Sequence, residues 1–362
     1  MKKSIIAVSA GLTAMIGVCA FALLGAVDML TELAINRNPK KSLANSKSAV
    51  SGQKKKPDPA VDKIKHVLEM AREDLKTNAS ETVQITSHDG LKLVGHIYPA
   101  NAPKRVLICM HGWRSSWDHD YAVISTFLHD GLNSTLIIPE QRGQGESEGD
   151  FIGFGIFERH DCLEWIKYAK ERYGEDLPIY LMGISMGATT VLMTTGADLP
   201  KCVKGVIADC GFTSPGAIMS HVVKNNLKIN EKLTYPLVNK RINKVAHFDI
   251  NEYSAPKALE SCQVPVLFIH GSSDSFVPVQ MTFENYEACV APKDLLIVPG
   301  AGHGMSYVKD TEAYEKAVRY FFKKYDKSTR EEIELEIAKR KQEQESDVTA
   351  ALEEIACAQI IE

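Results

Sequence analysis

The chain lacks three patterns that would define its class at once: a CxxC pair, zinc-ligand spacing and an excess of basic residues. Its eight cysteines are scattered through 362 residues. Cys19 and Cys109 lie in apolar runs, which favours buried thiols over a disulfide framework. Lysine and arginine number 42 against 46 acidic residues. These absences argue against a disulfide scaffold, a zinc site and nucleic acid as the main partner.

Charge is also missing from residues 4–27, which follow two lysines. This uncharged run of about 24 residues is long enough to cross a bilayer as a helix. Lysines before it and acidic residues after it favour an N-terminus inside and the remainder outside. The sequence therefore predicts an uncleaved anchor over residues 1–27 and a single-pass protein of the cell membrane. A cleaved signal peptide is the alternative, with a cut site at Ala20-Phe21-Ala22 inside the apolar run.

Apolar residues are sparse in two further segments. Residues 28–58 are rich in lysine, serine and proline, which predicts a flexible basic stalk. Residues 327–362 are highly charged and predict a solvated or frayed helix, with partner binding as the less favoured alternative. Between them, residues 59–326 have the pattern of a folded domain that starts with a helix from about Pro59.

Eight runs with the pattern of strands occur along this domain. The first two flank His88-Asp89-Gly90 and predict a β-hairpin. The other six are continuous, as is typical of strands buried on both faces, and helical stretches lie between them. This alternation predicts an α/β fold with a mainly parallel eight-stranded sheet flanked by helices. Residues 211–263 are too long for a crossover and predict a small helical cap over the carboxyl edge of the sheet.

A serine between two glycines follows the fifth apolar run. The stretch Gly183 to Gly187 fits the pattern G-x-S-x-G where a strand gives way to a helix, which is the context of a nucleophile elbow. Such a turn lifts the serine oxygen clear of the sheet, and the glycines leave room for the neighbouring backbone. The helix that begins at about Met186 directs its N–H groups at the serine. Ser185 is therefore the predicted nucleophile, and the backbone N–H of Met186 is a predicted oxyanion donor.

A serine hydroxyl is a weak nucleophile until a base takes its proton. His303, in PGAGHGMSY after the last apolar run, is the predicted base. Asp274, after the preceding run, is the predicted acid that fixes the histidine tautomer, and the chain order Ser, Asp, His is that of an α/β hydrolase. Asp209, which ends the sixth run, is the competing acid, with a turn-stabilising carboxylate as its structural alternative.

The turn after the third run, CMHGWRSSW, is predicted to supply the second oxyanion donor. The backbone N–H of Trp113 is the candidate, and the indole of this residue either lines an acyl pocket or only packs. Chain order does not favour His111 as the base, and we interpret it as part of the scaffold of this turn. This machinery calls for no metal and no cofactor.

From about Thr82 to Tyr325 the chain resembles the α/β-hydrolase superfamily, especially bacterial serine hydrolases of the esterase, monoglyceride-lipase and serine-aminopeptidase group. The residues that carry the resemblance are His111-Gly112-Trp113, Arg142 to Ser147, Gly183 to Gly187, His270-Gly271 with Asp274, and Gly302 with His303. In the turn PEQRGQGES the chain has Glu140 where relatives often have aspartate. The resemblance implies the α/β-hydrolase fold and a serine triad, but it hardly restricts the substrate.

Together these observations predict a membrane-anchored, extracytoplasmic serine hydrolase that cleaves carboxylic esters of short to medium acyl chains through an acyl-enzyme. Its expected partners are a small-molecule ester and the membrane. A peptidase or amidase is the nearest alternative, with a cap carboxylate such as Glu231 or Asp249 binding a peptide's amino terminus. A surface-binding protein without turnover is the third. A version that starts near Val61 is expected to be soluble and active.

Overall fold

One eight-stranded sheet forms the centre of the fold. The computed structural model describes residues 23–39, 59–228, 230–327, 331–339 and 342. The strands, β1 to β8 in chain order, are Glu81–Thr86, Lys92–Tyr98, Arg105–Met110, Ser134–Pro139, Ile179–Ile184, Val203–Asp209, Val266–Gly271 and Lys293–Val298. They lie in the order β1-β2-β4-β3-β5-β6-β7-β8. Strand β2 pairs antiparallel with β1 and β4, and the other pairs are parallel. The predicted mainly parallel sheet is confirmed.

Helices cover both faces of this sheet. In chain order, α1 to α11 are Pro59–Asn78, Trp117–Asp120, Ala122–Thr126, Glu158–Tyr173, Met186–Thr194, Pro215–His221, Glu231–Ala246, Ala255–Leu259, Val279–Ala288, Ser306–Lys309 and Thr311–Tyr325. Two π-helical turns, Phe127–Gly131 and Val222–Asn226, continue α3 and α6. Residues 23–35 and 331–339 are helical as well.

The strands divide their side chains between two hydrophobic layers, because successive residues of a strand point to opposite faces. In β3, Val106 and Ile108 belong to the layer that contains Trp165 of α4, whereas Leu107 and Cys109 belong to the layer under α11. The described cysteines are buried thiols in these layers and around the site. Burial on both faces explains why the sequence shows continuous apolar runs.

An insertion between β6 and β7 covers the carboxyl edge of the sheet, in the segment where the cap is predicted. It contains α6, a π-helical turn, α7 and α8. Ser214 caps α6 by accepting a hydrogen bond from the N–H of Ala217. Buried apolar residues of the insertion, such as Ile218, share one hydrophobic cluster with Met186 at the start of α5. The insertion therefore lies over the end of β5, next to Ser185.

The beginning of the predicted stalk is helical and packed. It belongs to the helical stretch of residues 23–35, in which Val27, Leu30 and Ile35 are buried at helical spacing. Composition indicates a stalk because lysine and serine dominate the later residues, but DMLTELAI at its start belongs to an amphipathic helix. Residues 40–58 of the predicted stalk lie outside the described residues.

Much of both terminal segments lies outside the described residues. The predicted anchor, residues 1–27, is described only from Leu23 onwards. Within the part of the chain that the structure describes, no helix is both long and apolar enough to cross a bilayer. The anchor therefore stays a prediction. Of the C-terminal tail, residues 331–339 form a helix whose Ile333 is buried in the layer under α11, so this described part of the tail is packed on the domain.

Candidate active site

The turn between β5 and α5 holds Ser185 in a strained backbone conformation. Its φ is 57° and its ψ is -118°, and residues other than glycine keep such angles only where the surroundings enforce them. A Cβ atom on Gly187 would overlap the carbonyl of Met110, and one on Gly183 would overlap the backbone of Gly187. Only glycine fits at both positions, which explains the G-x-S-x-G spacing physically.

Loops after β7 and β8 bring an acid and a base to this serine. His303 Nε2 lies 2.9 Å from Ser185 Oγ, and His303 Nδ1 lies 2.7 Å from Asp274 Oδ2. An ionised carboxylate only accepts hydrogen bonds, so Nδ1 donates its proton to Asp274. This tautomer leaves Nε2 free to accept the serine proton. The structure thus brings three of the predicted site residues into one hydrogen-bonded chain.

Asp274 lies among several hydrogen-bond donors. Its side chain is fully buried, and its Oδ1 accepts from the N–H groups of Phe276 and Val277, both at 2.9 Å. His270 Nε2 lies 3.2 Å from its Oδ2. Burial alone would raise the pKa of Asp274, but the hydrogen bonds from His270 and His303 outweigh burial and hold that pKa well below its usual range. Asp274 is therefore ionised at every pH at which His303 is neutral and can accept the serine proton.

Asp209, the competing acid, is engaged elsewhere. Its side chain accepts a hydrogen bond from Ser306 Oγ at 3.1 Å, and its backbone carbonyl accepts one from the N–H of Ser185 at 2.8 Å. Burial raises the pKa of this carboxyl to about 6, although the hydrogen bond from Ser306 opposes the shift. The carboxylate hydrogen-bonded to His303 is that of Asp274.

The turn after β3 lies beside the nucleophile. A Cβ atom on Gly112 would lie 3.4 Å from the Cβ of Ser185. His111 Nε2 accepts from a backbone N–H at 3.1 Å, so its Nδ1 donates to the Gly112 carbonyl at 2.8 Å, and the ring is part of the turn's scaffold. Trp113 follows in this turn. Met186 is the first residue of α5, where an N–H has no intrahelical acceptor. The two predicted oxyanion donors, the N–H groups of Trp113 and Met186, therefore belong to the turn beside Ser185 and to the start of the helix that follows it.

The sequence pattern of the prolyl oligopeptidase family matches residues 138–329, which are just over half of the chain and include Ser185, Asp274 and His303. The chain belongs to the prolyl oligopeptidase family. It is a serine hydrolase with the α/β-hydrolase fold.

Individual proteins resemble this family member over about two thirds of its length. An uncharacterized protein of Bacillus subtilis, YqkD, is 28% identical over 65% of this chain and 76% of its own. The esterase Pf2001 of Pyrococcus furiosus is 22% identical, with a TM-score of 0.55 over 68% of this chain and 91% of that one. The mouse alpha/beta hydrolase domain-containing protein 10 is 19% identical, with a TM-score of 0.50 over 68% and 99%. The two structural likenesses show the shared fold.

Ser185 of this prolyl oligopeptidase family member opens onto an apolar pocket of about 80 Å³. The described residues that line it with Ser185 are Leu30, Leu33, Ala34, Trp113, Phe154, Phe212, Ile218, Met219, Val222, Val223, Leu227, Val238 and Phe276. None of these residues carries a charge. The pocket therefore suits a substrate that has an apolar group beside the carbonyl carbon that the serine attacks. The indole of Trp113 both lines the pocket and donates a hydrogen bond, to the carbonyl of Ala34 at 2.8 Å.

The two cap carboxylates considered for binding a peptide's amino terminus are not among the described pocket-lining residues. Glu231 accepts a hydrogen bond from Ser220 Oγ at 2.6 Å and lies 3.5 Å from Lys224 Nζ. Asp249 accepts from the N–H of Asn251 at 2.8 Å within its own turn. Both carboxylates thus have local partners in the cap.

Two groups of described side chains have donor atoms close enough to hold a metal ion: Cys210 with Asp274 and His303, and His88 with Asp89 and Asp161. The first group shares its carboxylate and imidazole with the hydrogen-bonded chain of the serine. In the second, both carboxylates accept hydrogen bonds from Arg142. These donor sets are already engaged within the protein.

Three residues that shape the site were not among the predicted site residues. His270 donates a hydrogen bond to Asp274. Its position four residues before that acid could have indicated this contact from the sequence. Leu33 lines the pocket. The helical spacing of apolar residues after the uncharged run could have indicated that this segment packs on the domain. Arg114 binds the carbonyl of Leu33 at 3.0 Å. The sequence around Arg114 does not indicate this contact, because Leu33 lies 81 residues earlier in the chain.

Proposed function

We propose that this protein hydrolyses carboxylic esters with an apolar acyl group of short to medium length, through an acyl-enzyme on Ser185. The observation that carries the proposal is the hydrogen-bonded chain from Ser185 through His303 to Asp274, at the end of an apolar pocket. An uncharged lining favours an aliphatic acyl group over a charged or strongly polar one.

The reaction follows from these hydrogen bonds. His303 Nε2 takes the proton of Ser185 while Oγ attacks the carbonyl carbon of the ester. The backbone N–H groups of Trp113 and Met186 stabilise the negative oxygen of the tetrahedral intermediate. The imidazolium gives its proton to the leaving alcohol as the C–O bond breaks. A water deprotonated by the same histidine then releases the acid, and Asp274 stabilises the imidazolium in both halves.

A series of acyl esters tests the size of the acyl group. Each methylene buried in the pocket adds about 0.8 kcal/mol of binding until the pocket is full. We expect kcat/KM to rise from acetyl to about six to eight carbons and then to fall. A steady rise through palmitoyl esters with activation at lipid interfaces would identify a lipase instead. A flat profile would mean that the pocket does not select the acyl chain.

A peptidase or amidase is the second candidate, because the matching family is that of the prolyl oligopeptidases. The triad chemistry is the same, but this substrate needs a group that binds its amino terminus. Glu231 and Asp249 have partners within the cap, which supports the ester. Matched esters and aminoacyl amides, assayed in parallel, separate the two, and faster turnover of the amides would reverse our choice.

We further propose that the anchor predicted over residues 1–27 holds the chain in the cell membrane through the part that precedes residue 23, because Val27 packs on the catalytic domain. The catalytic domain then lies on the extracytoplasmic side. The support is the uncharged run itself and the lysines that precede it. In that arrangement the membrane is the second partner of the protein, beside its small-molecule ester.

A further inference from the structure

One wall of the pocket comes from the beginning of the described chain. The helical residues 23–35 pack into the same hydrophobic cluster as the cap, and Leu30 is only 7% exposed there. Leu30, Leu33 and Ala34 line the pocket together with Ser185. Because this segment lies outside the residues that match the family, the family pattern does not account for the wall.

Hydrogen bonds fix this wall to the turn after β3. Trp113 Nε1 donates to the carbonyl of Ala34 at 2.8 Å. Arg114 donates to the carbonyl of Leu33 at 3.0 Å and to that of Asn36 at 2.6 Å. The last carbonyls of a helix have no intrahelical donor, so the guanidinium satisfies them. The turn expected to hold the oxyanion thus also holds the wall.

A second set of contacts continues past the end of the helix. The carbonyl of Ile35 accepts from the N–H of Ile152 at 2.7 Å. The guanidinium of Arg37 donates to the carbonyls of Ser147 and Gly145 at 2.5 and 2.6 Å. These bonds join the segment to the loop between β4 and α4. The segment is therefore held along its length rather than only at one end.

We propose that residues 23–37 are a fixed wall of the acyl pocket, and that Leu30, Leu33 and Ala34 determine which aliphatic acyl chain the site accepts. This inference rests on the proposed ester hydrolysis and names the residues that set its specificity. The wall adds three aliphatic side chains to a pocket otherwise bounded by the cap and the sheet edge. Changing the bulk of the wall must then change the longest chain that fits.

Leu33 is the best position at which to test the wall. Its side chain is half-buried, so a change of size does not open or overfill the core, whereas Leu30 is buried. The hydrogen bond from Arg114 goes to the backbone carbonyl of Leu33 and survives substitution. Leu24 lies in the same helical stretch, is 57% exposed and is not among the pocket-lining residues. It provides the matched control.

The experiment compares full-length Leu33→Trp and Leu33→Ala with Leu24→Trp and Leu24→Ala. The substrates are p-nitrophenyl esters from acetyl to dodecanoyl. For Leu33→Trp we expect kcat/KM on octanoyl ester to fall by about tenfold relative to acetyl ester, the loss expected when two methylenes no longer fit. For Leu33→Ala we expect the optimum to move to longer chains. Both Leu24 variants should keep the wild-type profile.

A second readout separates this inference from the proposed function. The rate of labelling by ethyl and octyl fluorophosphonates reports acyl-pocket fit without requiring ester turnover. If the wild-type protein is labelled but hydrolyses no ester, the proposed function fails, and the ratio of octyl to ethyl labelling still tests the wall. The inference is overturned if Leu33 variants keep the wild-type ratio and ester profile. It is equally overturned if the Leu24 variants shift as far as the Leu33 variants.

Discussion

Two aspartates lie close to the reacting residues, and their hydrogen bonds give them different tasks. Asp274 accepts from His303 Nδ1 at 2.7 Å, whereas Asp209 accepts from Ser306 at 3.1 Å. Only the first contact can fix the tautomer in which Nε2 faces Ser185. At the scale of residues, the two acids can therefore be told apart by replacing each with asparagine.

Asp274→Asn should lower kcat on the preferred ester by about 10⁴-fold, because asparagine keeps the shape but favours the wrong histidine tautomer. Asp209→Asn is the matched control and should leave kcat within a few-fold of wild type. Steady-state kinetics on both purified proteins provide the comparison. If Asp209→Asn is the crippled variant and Asp274→Asn is nearly normal, the assignment of the acid is wrong.

The raised pKa of Asp209 makes the free energy of unfolding depend on pH. Burial raises its pKa from 3.8 to about 6 in the folded chain. Between these values the folded protein holds a proton that the unfolded chain has released, so this group lowers the free energy of unfolding as the pH rises. Asp209→Asn removes the effect. Its stability relative to wild type should rise by up to roughly 3 kcal/mol between about pH 4 and about pH 8. Urea unfolding at the two pH values measures this, and a difference independent of pH would count against it.

At the scale of elements, the turn from β5 to α5 depends on the absence of a side chain. A Cβ atom on Gly187 would overlap the carbonyl of Met110, which is backbone and cannot move aside. Gly187→Ala should lower the free energy of unfolding by about 3 kcal/mol or more, with loss of activity. Gly25→Ala is the control, since nothing lies within 4 Å of its Cβ position. Urea titration of both variants tests the prediction, and near-wild-type stability of Gly187→Ala would refute the steric account.

Elements also show how far the sequence can be interpreted. Six strands were predicted from continuous apolar runs and the first two from a hairpin pattern around His88-Asp89-Gly90. The order of Ser185, Asp274 and His303 followed from the loops after the later strands. Of the helix of residues 23–35, the part from residue 28 onwards was missed, because a flexible stalk was predicted there. Composition separates anchor from stalk, but it cannot show that Leu30 and Leu33 pack over a serine more than 150 positions later. The hydrogen bond from Arg114 to the carbonyl of Leu33 is likewise a tertiary contact that no local pattern encodes.

At the scale of the whole molecule, the N-terminal region has two separable tasks. Residues 1–22 are expected to hold the chain in the membrane, and residues 23–37 pack on the catalytic domain. Val27, Leu30 and Ile35 are nearly or fully buried, and burial of such a side chain contributes roughly 2 kcal/mol. This packing changes the expectation for a version that starts near Val61, because it would lack these contacts.

Three lengths of the chain test both tasks. The intact protein should sediment with membranes and resist salt extraction, because apolar burial rather than charge holds it. A version that starts at Leu23 should be soluble, with kcat/KM close to that of the intact chain. A version that starts at Val61 should be less stable and should lose the acyl-chain preference. Full stability and activity of the shortest version would show that residues 23–37 do not support the domain.

The most direct measurement is covalent labelling with a fluorophosphonate, followed by intact-mass and peptide mass analysis. The central claim is that Ser185, activated by His303, is the nucleophile of a serine hydrolase. We predict one adduct per chain, located on Ser185, with parallel loss of ester hydrolysis. Ser185→Ala should take up no label and should lose at least about 10⁴-fold in kcat. A folded wild-type protein that remains unlabelled, or a Ser185→Ala variant that keeps a tenth of the activity, would contradict the account.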